Sequence, residues 1–309
     1  MNSPCPNCKK TNSKFVDKYK FNVLYDEIFF KNIDIFNCKE CDLSFATPMP
    51  KESDLNEYYS SVYRAKNRPH NILEATPVKE LQARLKLLEE NVDFSKVKNV
   101  LEVGAGGGDF GEFLKKKFEL NIYTIEPDEY SRSILHSKGY LNFDDKNLKF
   151  DLIYSTHVLE HFTDVDAFFK IFENNLSEKC AVFTEVPNNS LETWFNERPY
   201  DSPHTLFFSK NSLERVFLMR NYKIIFSDYV GDDIKTTFKL MEKSKKKFEK
   251  WLPNKIYLRT NLKRILKKII PSFILSLRLI VINFFNKSHF KEFEYGDKNS
   301  WCLRIIVKK

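Results

Sequence analysis

The feature that most constrains the fold is the stretch NVLEVGAGGGDFGEFL at residues 99–114. An apolar, β-branched run ends in a cluster of glycines and is followed by a charged, helix-forming run. This order predicts a strand, a tight turn and a helix. Glycines in such a turn let the backbone approach a ligand closely, and the N-terminus of the following helix favours negatively charged groups. The stretch therefore predicts a cofactor-binding α/β domain.

The glycines satisfy two cofactor patterns. Gly106, Gly108 and Gly111 fit the dinucleotide fingerprint by letters alone. In the second pattern Glu102 lies inside the strand and the glycines follow it directly, which resembles the first motif of class I S-adenosylmethionine-dependent methyltransferases. The resemblance implies that the strand acid orients the cofactor's amino group, directly or through water, and that the loop binds its methionyl part. The residues concerned are Glu102, Gly104, Ala105, Gly106 and Gly108.

The next predicted strand, NIYTIEPD, ends in Glu126. An acid about 20 residues after the glycine loop can accept hydrogen bonds from both ribose hydroxyls, in dehydrogenases and methyltransferases alike. Glu126 and the neighbouring Pro127 are therefore predicted to contact the cofactor. The stretch GYLNFDDKN should supply a polar group near the adenine, and either Asp144 or Asp145 is the candidate.

The segment KFDLIYSTHVLEHFTDVDAFF separates the two cofactor classes. It predicts a strand over Phe150–Ser155, then the turn His157-Val-Leu-Glu160-His161, then an amphipathic helix. This order is similar, nearly letter for letter, to a signature of small-molecule methyltransferases. The resemblance implies that His157 lines the cofactor pocket.

Three more strands are predicted at residues 181–188, 221–230 and 300–309. Their closing hairpin-like pair is typical of methyltransferases and not of dehydrogenases. The resemblance covers residues 99–230 and 297–309. It implies an α/β fold with a Rossmann-like, seven-stranded methyltransferase sheet and S-adenosylmethionine as cofactor.

Four of the six cysteines form two C-x-x-C pairs, Cys5 with Cys8 and Cys38 with Cys41. Thiolates from two tight turns can complete one tetrahedral site, and a site closed by four protein ligands indicates a structural role. We expect Zn²⁺, although an iron–sulfur cluster would use the same ligands. The intervening stretches KFVDKYKFNVLY and EIFFKNIDIFNC are predicted as strands. The polar N-terminus carries no signal-peptide pattern, so a cytoplasmic protein without a disulfide framework is expected.

Histidines near the carboxyl ends of the strands are candidates for the base that deprotonates an acceptor. His204 lies in RPYDSPHTLFFSKNSL, after the predicted fifth strand, and His161 begins the next predicted helix. The first segment resembles part of the sugar methyltransferases that also begin with a four-cysteine zinc module. In their deoxysugar C-methyltransferases a histidine of this loop is the base, and tyrosines near the zinc module hold substrate. The resemblance nominates His204 as base, supported by Tyr200 and by Tyr58 or Tyr59. Alternatively, His204 caps the following helix and the tyrosines only pack.

The net charge of +8 originates in one segment. Between Lys235 and Lys268 there are 13 Lys or Arg residues and two acids, and a broken apolar run, IIPSFILSLRLIVINFF, follows. Three interpretations remain open: a helical cap over the site, an interfacial segment over residues 235–285 that contacts anionic lipid at the inner face of the membrane, or a nucleic-acid surface, which is the least favoured.

The predicted organisation is a zinc-binding module (1–60), connecting helices (61–98), a methyltransferase domain (99–230), a basic and apolar helical insertion (231–296) and the last strand (297–309). The expected reaction is methyl transfer to a hydroxyl of a sugar or glycan, in surface polysaccharide biosynthesis. O-methylation is favoured because the similar C-methyltransferases carry a further C-terminal domain. C-methylation of a nucleotide-linked keto sugar, methylation of RNA and cofactor binding without turnover are the alternatives.

Overall fold

The structure, a computed structural model, describes residues 3–21, 26–62, 76–145, 147–192, 195, 200–233, 295–298 and 300–309. The basic segment predicted over residues 235–285, and with it the predicted lipid, nucleic-acid or capping role, lies outside the described residues. Within the described part, no helix is both long enough and apolar enough to span a bilayer.

Strands and helices alternate through most of the described residues. The strands are β1 (Ser13–Lys18), β2 (Asp34–Cys38), β3 (Ser44–Thr47), β4 (Asn99–Val103), β5 (Asn121–Ile125), β6 (Leu141–Asn142), β7 (Phe150–Thr156), β8 (Leu176–Pro187), β9 (Leu206–Phe207), β10 (Lys223–Asp233) and β11 (Ser300–Lys308). The α-helices are α1 (Glu27–Phe30), α2 (Glu52–Glu57), α3 (Val78–Asn91), α4 (Asp109–Lys115), α5 (Glu129–Ser137), α6 (Val165–Lys170) and α7 (Lys210–Leu218).

Seven strands form the larger sheet in the order β6-β5-β4-β7-β8-β11-β10. The first five strands in this order, β6, β5, β4, β7 and β8, run parallel to one another. Strand β11 lies between β8 and β10 and is antiparallel to both. The order reverses beside β4, so the carboxyl ends of β4 and β7 border the crevice where doubly wound sheets bind ligands. The predicted seven-stranded, Rossmann-like methyltransferase sheet with a closing antiparallel pair is confirmed.

Alternating residues of the sheet point to its two faces, and each face is covered by helices. On β4, Val100 packs with Leu88 of α3 and Leu114 of α4, whereas Leu101 packs with Phe168 of α6 on the other face. The parallel strands are apolar on both sides because both sides are buried. This packing leaves the carboxyl edge of the sheet as the place where polar side chains collect.

The second sheet is antiparallel, in the order β1-β2-β3-β9. Its fourth strand, β9, comes from the loop after β8, so the N-terminal module and the methyltransferase sheet share that loop. The stretch EIFF, predicted as a strand, is instead the single helical turn α1. Phe30 is fully buried while Ile28 is exposed, and the left-handed Asn32 ends the turn before β2 begins. Four residues are too few for the apolar period to distinguish a turn from a strand.

Candidate active site

The glycine loop joins β4 to α4 and adopts left-handed backbone at alternate positions. The φ angles are +67° at Gly104, +53° at Gly106 and +69° at Gly108. A Cβ atom at Gly104 would lie 2.6 Å from Cγ2 of Val158, a residue of the turn after β7. Glycine is therefore required here both by conformation and by space. Ala105, between two of these glycines, is half-buried.

Glu102 lies inside β4 and is buried. The hydroxyl of Tyr140 donates a hydrogen bond of 2.6 Å to its Oε2 atom. Burial raises the pKa of Glu102 to about 7, although the hydrogen bond from Tyr140 and the nearby hydroxyl of Tyr154 act in the opposite direction. Sequence reasoning missed both tyrosines, because only the sheet and α5 bring them next to β4. The carboxyl group is held rigidly beside the glycine loop, where the cofactor's cationic amino group is predicted to bind.

Glu126 follows β5 directly, and its carboxylate binds the glycine loop. Oε2 accepts a hydrogen bond of 2.8 Å from the backbone N–H of Gly106, and Oε1 accepts one of 3.0 Å from the N–H of Asp128. Pro127 lies between these contacts, and its carbonyl accepts from Arg132. The predicted ribose ligand and the predicted methionyl loop are thus adjacent.

The two candidates near the adenine differ in their surroundings. Both are exposed after the short strand β6, and Asp145 accepts a hydrogen bond from the N–H of Asn147 within a turn. Asp144 is the freer of the two to meet a ligand. Its predicted contact with the adenine stays a prediction.

His157 directly follows β7 and lies between two carboxylates. Its Nδ1 atom is 3.5 Å from Glu160 Oε1 and its Nε2 atom is 3.3 Å from Glu185 Oε1. Burial opposes the charged imidazole, but contacts with Cys302, Glu160 and Glu185 outweigh it and raise the pKa of His157 well above its usual value. The left-handed backbone of His157, with φ of +56°, turns the chain sharply at the end of the strand.

Glu185 is the centre of a buried ion network that sequence reasoning missed. Arg84 of α3 contacts its Oε1 atom at 2.6 Å, and Arg304 of β11 donates to Oε2. All three side chains are buried, and the two guanidinium groups hold the pKa of Glu185 well below its usual value despite its burial. The sequence carries one signal for the pair of Glu185 and Arg304. Each is a charged residue inside an otherwise apolar strand, in AVFTEVP and WCLRIIV respectively.

His161 and His204 come together at the same edge of the sheet. Their ring centroids are 4.9 Å apart, and Nε2 of His161 lies 4.0 Å from Oε1 of Glu160. Burial and the neighbouring His161 lower the pKa of His204 to about 3, and burial lowers that of His161. His161 ends a short 3₁₀ turn, Leu159–His161, before α6 and does not begin the predicted helix. Both imidazoles are therefore neutral and available as acceptors or ligands.

The loop that carries His204 is fixed on both sides. The hydroxyl of Tyr19 donates to the carbonyl of His204 at 2.6 Å. The N–H of Thr205 donates to the carbonyl of Glu160 at 2.9 Å, and β9 then joins the N-terminal sheet. His204 does not cap the following helix, which was the alternative interpretation, because Ser209 is the N-cap of α7.

The three predicted substrate tyrosines occupy different environments. Tyr58 is fully buried and packs edge-on against Phe29 and Phe30. Tyr59 is half-buried, and its hydroxyl lies 2.9 Å from Nδ1 of His161. Tyr200 is 51% exposed. Of the two alternatives left open from sequence, Tyr59 is the residue that reaches the histidines.

The four predicted metal ligands converge in the N-terminal module. The Sγ atoms of Cys5 and Cys41 are 3.5 Å apart, as are those of Cys8 and Cys38, and all four lie within 4.8 Å of one another. Four thiolates at about 2.3 Å from a tetrahedral Zn²⁺ lie about 3.8 Å from each other, so the cluster fits this ion. Three of the four cysteines are buried, and they belong to the same apolar core as Leu101 of the larger sheet.

Comparison with known proteins assigns the central part of the chain. A family model described as a methyltransferase domain matches residues 73–226, which includes the glycine loop, Glu126 and the histidine turn. No curated protein sequence matches the chain significantly.

The chain is similar to several solved methyltransferase structures at low identity. An S-adenosylmethionine-dependent methyltransferase from Archaeoglobus fulgidus is 17% identical, with a TM-score of 0.45 over 84% of this chain and 100% of that one. A possible histamine N-methyltransferase from Thermotoga maritima is 14% identical, with a TM-score of 0.44 over 75% and 90% of the two chains. An O-methyltransferase of Brevibacillus brevis in complex with S-adenosylhomocysteine is 13% identical, with a TM-score of 0.44 over 75% of each chain. None of these likenesses bears on the acceptor.

Proposed function

We propose that the chain, which is an S-adenosylmethionine-dependent methyltransferase, transfers the methyl group to a hydroxyl of a sugar, free or within a glycan. A hydroxyl is a weak nucleophile until it loses its proton, so this transfer needs a group that takes the proton beside the cofactor. The observation that carries the proposal is the cluster of Glu160, His161 and His204, whose ligand atoms lie within 4.8 Å of one another at the carboxyl edge of the sheet.

In this proposal His204 is the catalytic residue nearest the acceptor, as its resemblance to a sugar-methyltransferase loop implies. His161 orients the cluster through its hydrogen bond with Tyr59. The cofactor is held by Glu102, the glycine loop and Glu126, with Pro127, Asp144 and His157 around it. The reaction is an in-line displacement: the acceptor oxygen bonds to the methyl carbon as the carbon–sulfur bond breaks, and the positioning of both reactants supplies much of the rate.

The sugar class is supported by the side chains around the histidines. Tyr59 and the exposed Tyr200 offer an apolar ring with a hydroxyl, which suits a ring that carries several hydroxyl groups. The resemblance to sugar methyltransferases that begin with four cysteines points the same way. We place the reaction in surface polysaccharide biosynthesis, in the cytoplasm, with residues 235–285 contacting the inner face of the membrane.

We further infer that Cys5, Cys8, Cys38 and Cys41 hold a structural Zn²⁺. A closed four-thiolate site offers no position for substrate, so the ion's role is to fix the N-terminal sheet that presents Tyr59 and receives β9. Elemental analysis should find one equivalent of zinc in the purified chain and a loss of most of it in Cys41→Ser. Cys180→Ser, which replaces a buried cysteine outside the cluster, is the matched control.

The test of the acceptor is methyl transfer from labelled S-adenosylmethionine to three substrate panels: oligosaccharides and sugar nucleotides, nucleotide-linked keto sugars, and RNA. The proposal expects an O-methyl sugar, identified by NMR, and loss of at least about 100-fold in turnover for His204→Ala. His136→Ala, an exposed histidine on α5, should leave turnover unchanged. A new carbon–carbon bond in a keto sugar, or label found only in RNA, would replace the proposal by the corresponding alternative.

A further inference from the structure

The side chain of Glu160 is the most unusual polar group among the described residues. It is fully buried, and neither carboxylate oxygen accepts a hydrogen bond from the described part of the chain. The nearest cationic partner, Nδ1 of His157, is 3.5 Å away, which is too long for a strong hydrogen bond. A buried carboxylate without hydrogen-bond donors is unfavourable, so this one is expected to have a partner beyond the described residues, and a bound cation is one such partner.

Two further donors of a metal site face this carboxylate. One ring nitrogen each of His161 and His204, together with a Glu160 oxygen, lie within 4.8 Å of one another. Donor atoms that bind one cation at about 2.1 Å lie about 3 to 4 Å from one another. Small side-chain rotations are therefore enough to bring these three donor atoms to binding distance of one cation. Two imidazoles and one carboxylate on one side leave other positions open, which is the arrangement of catalytic metal sites.

The donors are also held in place as metal ligands usually are. A ligating histidine commonly binds a second group through its other ring nitrogen, and Nδ1 of His161 is 2.9 Å from the hydroxyl of Tyr59. The backbone of the His204 loop is fixed to Glu160 by the hydrogen bond from Thr205. The site is therefore built from β7, the N-terminal module and the β9 loop together.

A second group of side chains that could bind a metal differs from the first in its charge balance. It consists of His157, Glu185 and Cys302. There the carboxylate is already neutralised by Arg84 and Arg304, each in direct contact with it. A cation would add positive charge beside two guanidinium groups, so this group is explained as an ion network. Glu160 has no such guanidinium partner among the described residues.

We propose that Glu160, His161 and His204 bind one divalent transition-metal cation that activates the acceptor. The mixture of imidazole and carboxylate suits Mn²⁺, Fe²⁺ or Zn²⁺ better than Mg²⁺ or Ca²⁺. The acceptor hydroxyl occupies an open position and loses its proton to solvent, because coordination lowers the pKa of a bound hydroxyl. Its oxygen then bonds to the methyl carbon, and the carbon–sulfur electron pair goes to sulfur. This role of the cation rests on the proposed function, and it changes one part of that function. His204 holds the cation that lowers the pKa of the acceptor hydroxyl and does not take the proton itself.

The test is Mn²⁺ binding, which needs no substrate and disfavours the four-thiolate site. Protein that holds one zinc per chain is titrated with Mn²⁺ while the EPR signal of free Mn²⁺ is recorded. We expect one further site in the wild type and at least about tenfold weaker binding in both Glu160→Gln and His204→Asn. Glu129→Gln and His136→Asn, which alter exposed residues of α5, should bind as the wild type does. Two variants are used because Glu160 is buried and its replacement alone could disturb folding, which thermal melting reports.

Absence of Mn²⁺ binding at millimolar concentration, or binding that neither ligand variant weakens, would overturn the inference. Activity separates it from the proposed function. If Mn²⁺ binds as expected but no sugar hydroxyl is methylated, the cation site stands and the acceptor class fails. If sugars are methylated at full rate by protein without the second cation, the acceptor class stands and the proposed role of the cation in activating the acceptor fails.

Discussion

The hydroxyl of Tyr59 and Nδ1 of His161 lie 2.9 Å apart, although the two residues are far apart in the chain. Tyr59 follows α2 and belongs with the N-terminal module, whereas His161 ends the turn after β7. The contact connects the N-terminal module directly to the histidine pair of the site. A change in the N-terminal module is therefore expected to reach the histidine pair through Tyr59.

Removal of this hydroxyl should slow turnover without unfolding the chain. Tyr59→Phe keeps the ring that packs on His161 but frees the imidazole to rotate, so we expect kcat to fall by about tenfold, by analogy with lost outer-sphere partners. The KM for S-adenosylmethionine should not change, since Glu102 and Glu126 are untouched. Steady-state kinetics give both values. Tyr222→Phe, which removes a buried hydroxyl that has no hydrogen-bond partner among the described residues, is the control, and an equal effect in both variants would contradict the assignment.

Cofactor affinity should depend on pH through Glu102. Its pKa is raised to about 7 by burial, so at lower pH the carboxyl is neutral and loses its attraction for the cofactor's ammonium group. The affinity should therefore fall as pH falls through 7, by about tenfold at one unit below this pKa. Calorimetric titration between about pH 6 and 8 measures it. Glu102→Gln should bind weakly at every pH and show no such slope; a slope that persists in this variant would assign the titration to another group.

The glycine loop offers a separate test through Gly104 and Val158. In Gly104→Ala the new methyl would lie 2.6 Å from Val158, on a backbone with φ of +67°. We expect a loss of about 1–3 kcal/mol in the free energy of unfolding and weaker cofactor binding, from the clash and the left-handed strain together. Urea denaturation and calorimetry give the two quantities.

Two further variants separate clash from strain. Adding Val158→Ala to Gly104→Ala should recover the part due to the clash. Gly296→Ala, at φ of +93° with nothing within 4 Å of the new Cβ, should show strain alone and bind cofactor normally. If the double variant recovers nothing, the loop is limited by backbone conformation and not by its contact with the turn after β7.

Local patterns predicted most of the larger sheet. The apolar runs, the glycines after β4, the acid within β4 and the acid after β5 are encoded within short windows, and their order along the chain indicates the doubly wound sheet. The cysteine pairs also carry their signal locally, in the C-x-x-C spacing. These features needed no knowledge of distant contacts, and the matched methyltransferase domain over residues 73–226 confirms the class they indicated.

What the sequence did not predict depends on contacts between distant segments. Strand β9 forms because its two residues pair with β3, far away in the chain, and no window around Leu206 shows this. The sequence indicates Glu160 only as part of the turn from His157 to His161. The folded structure shows in addition that its carboxylate is buried and has no hydrogen-bond donor among the described residues. Arg84 and Arg304 meet at Glu185 from a helix and a strand that are far apart in the sequence.

That buried network gives the last prediction. Glu185→Gln removes the buried carboxylate that both Arg84 and Arg304 contact and leaves Arg84 with Glu80, so the free energy of unfolding should fall by about 3–5 kcal/mol. Urea denaturation at neutral pH measures this, and Glu112→Gln, which removes a half-exposed partner of Lys116 and Lys138, should change it by no more than about 0.5 kcal/mol.

A triple variant distinguishes the charge from the packing. Replacing Arg84, Glu185 and Arg304 together by Met removes all three buried charges at similar volume, and most of the lost stability should return because the desolvation cost is removed with them. If the triple variant is as unstable as Glu185→Gln, the network contributes through shape and hydrogen-bond geometry. In that case the contact of Glu185 with His157, at 3.3 Å, becomes the element to test next, since it connects the network to the turn that carries Glu160.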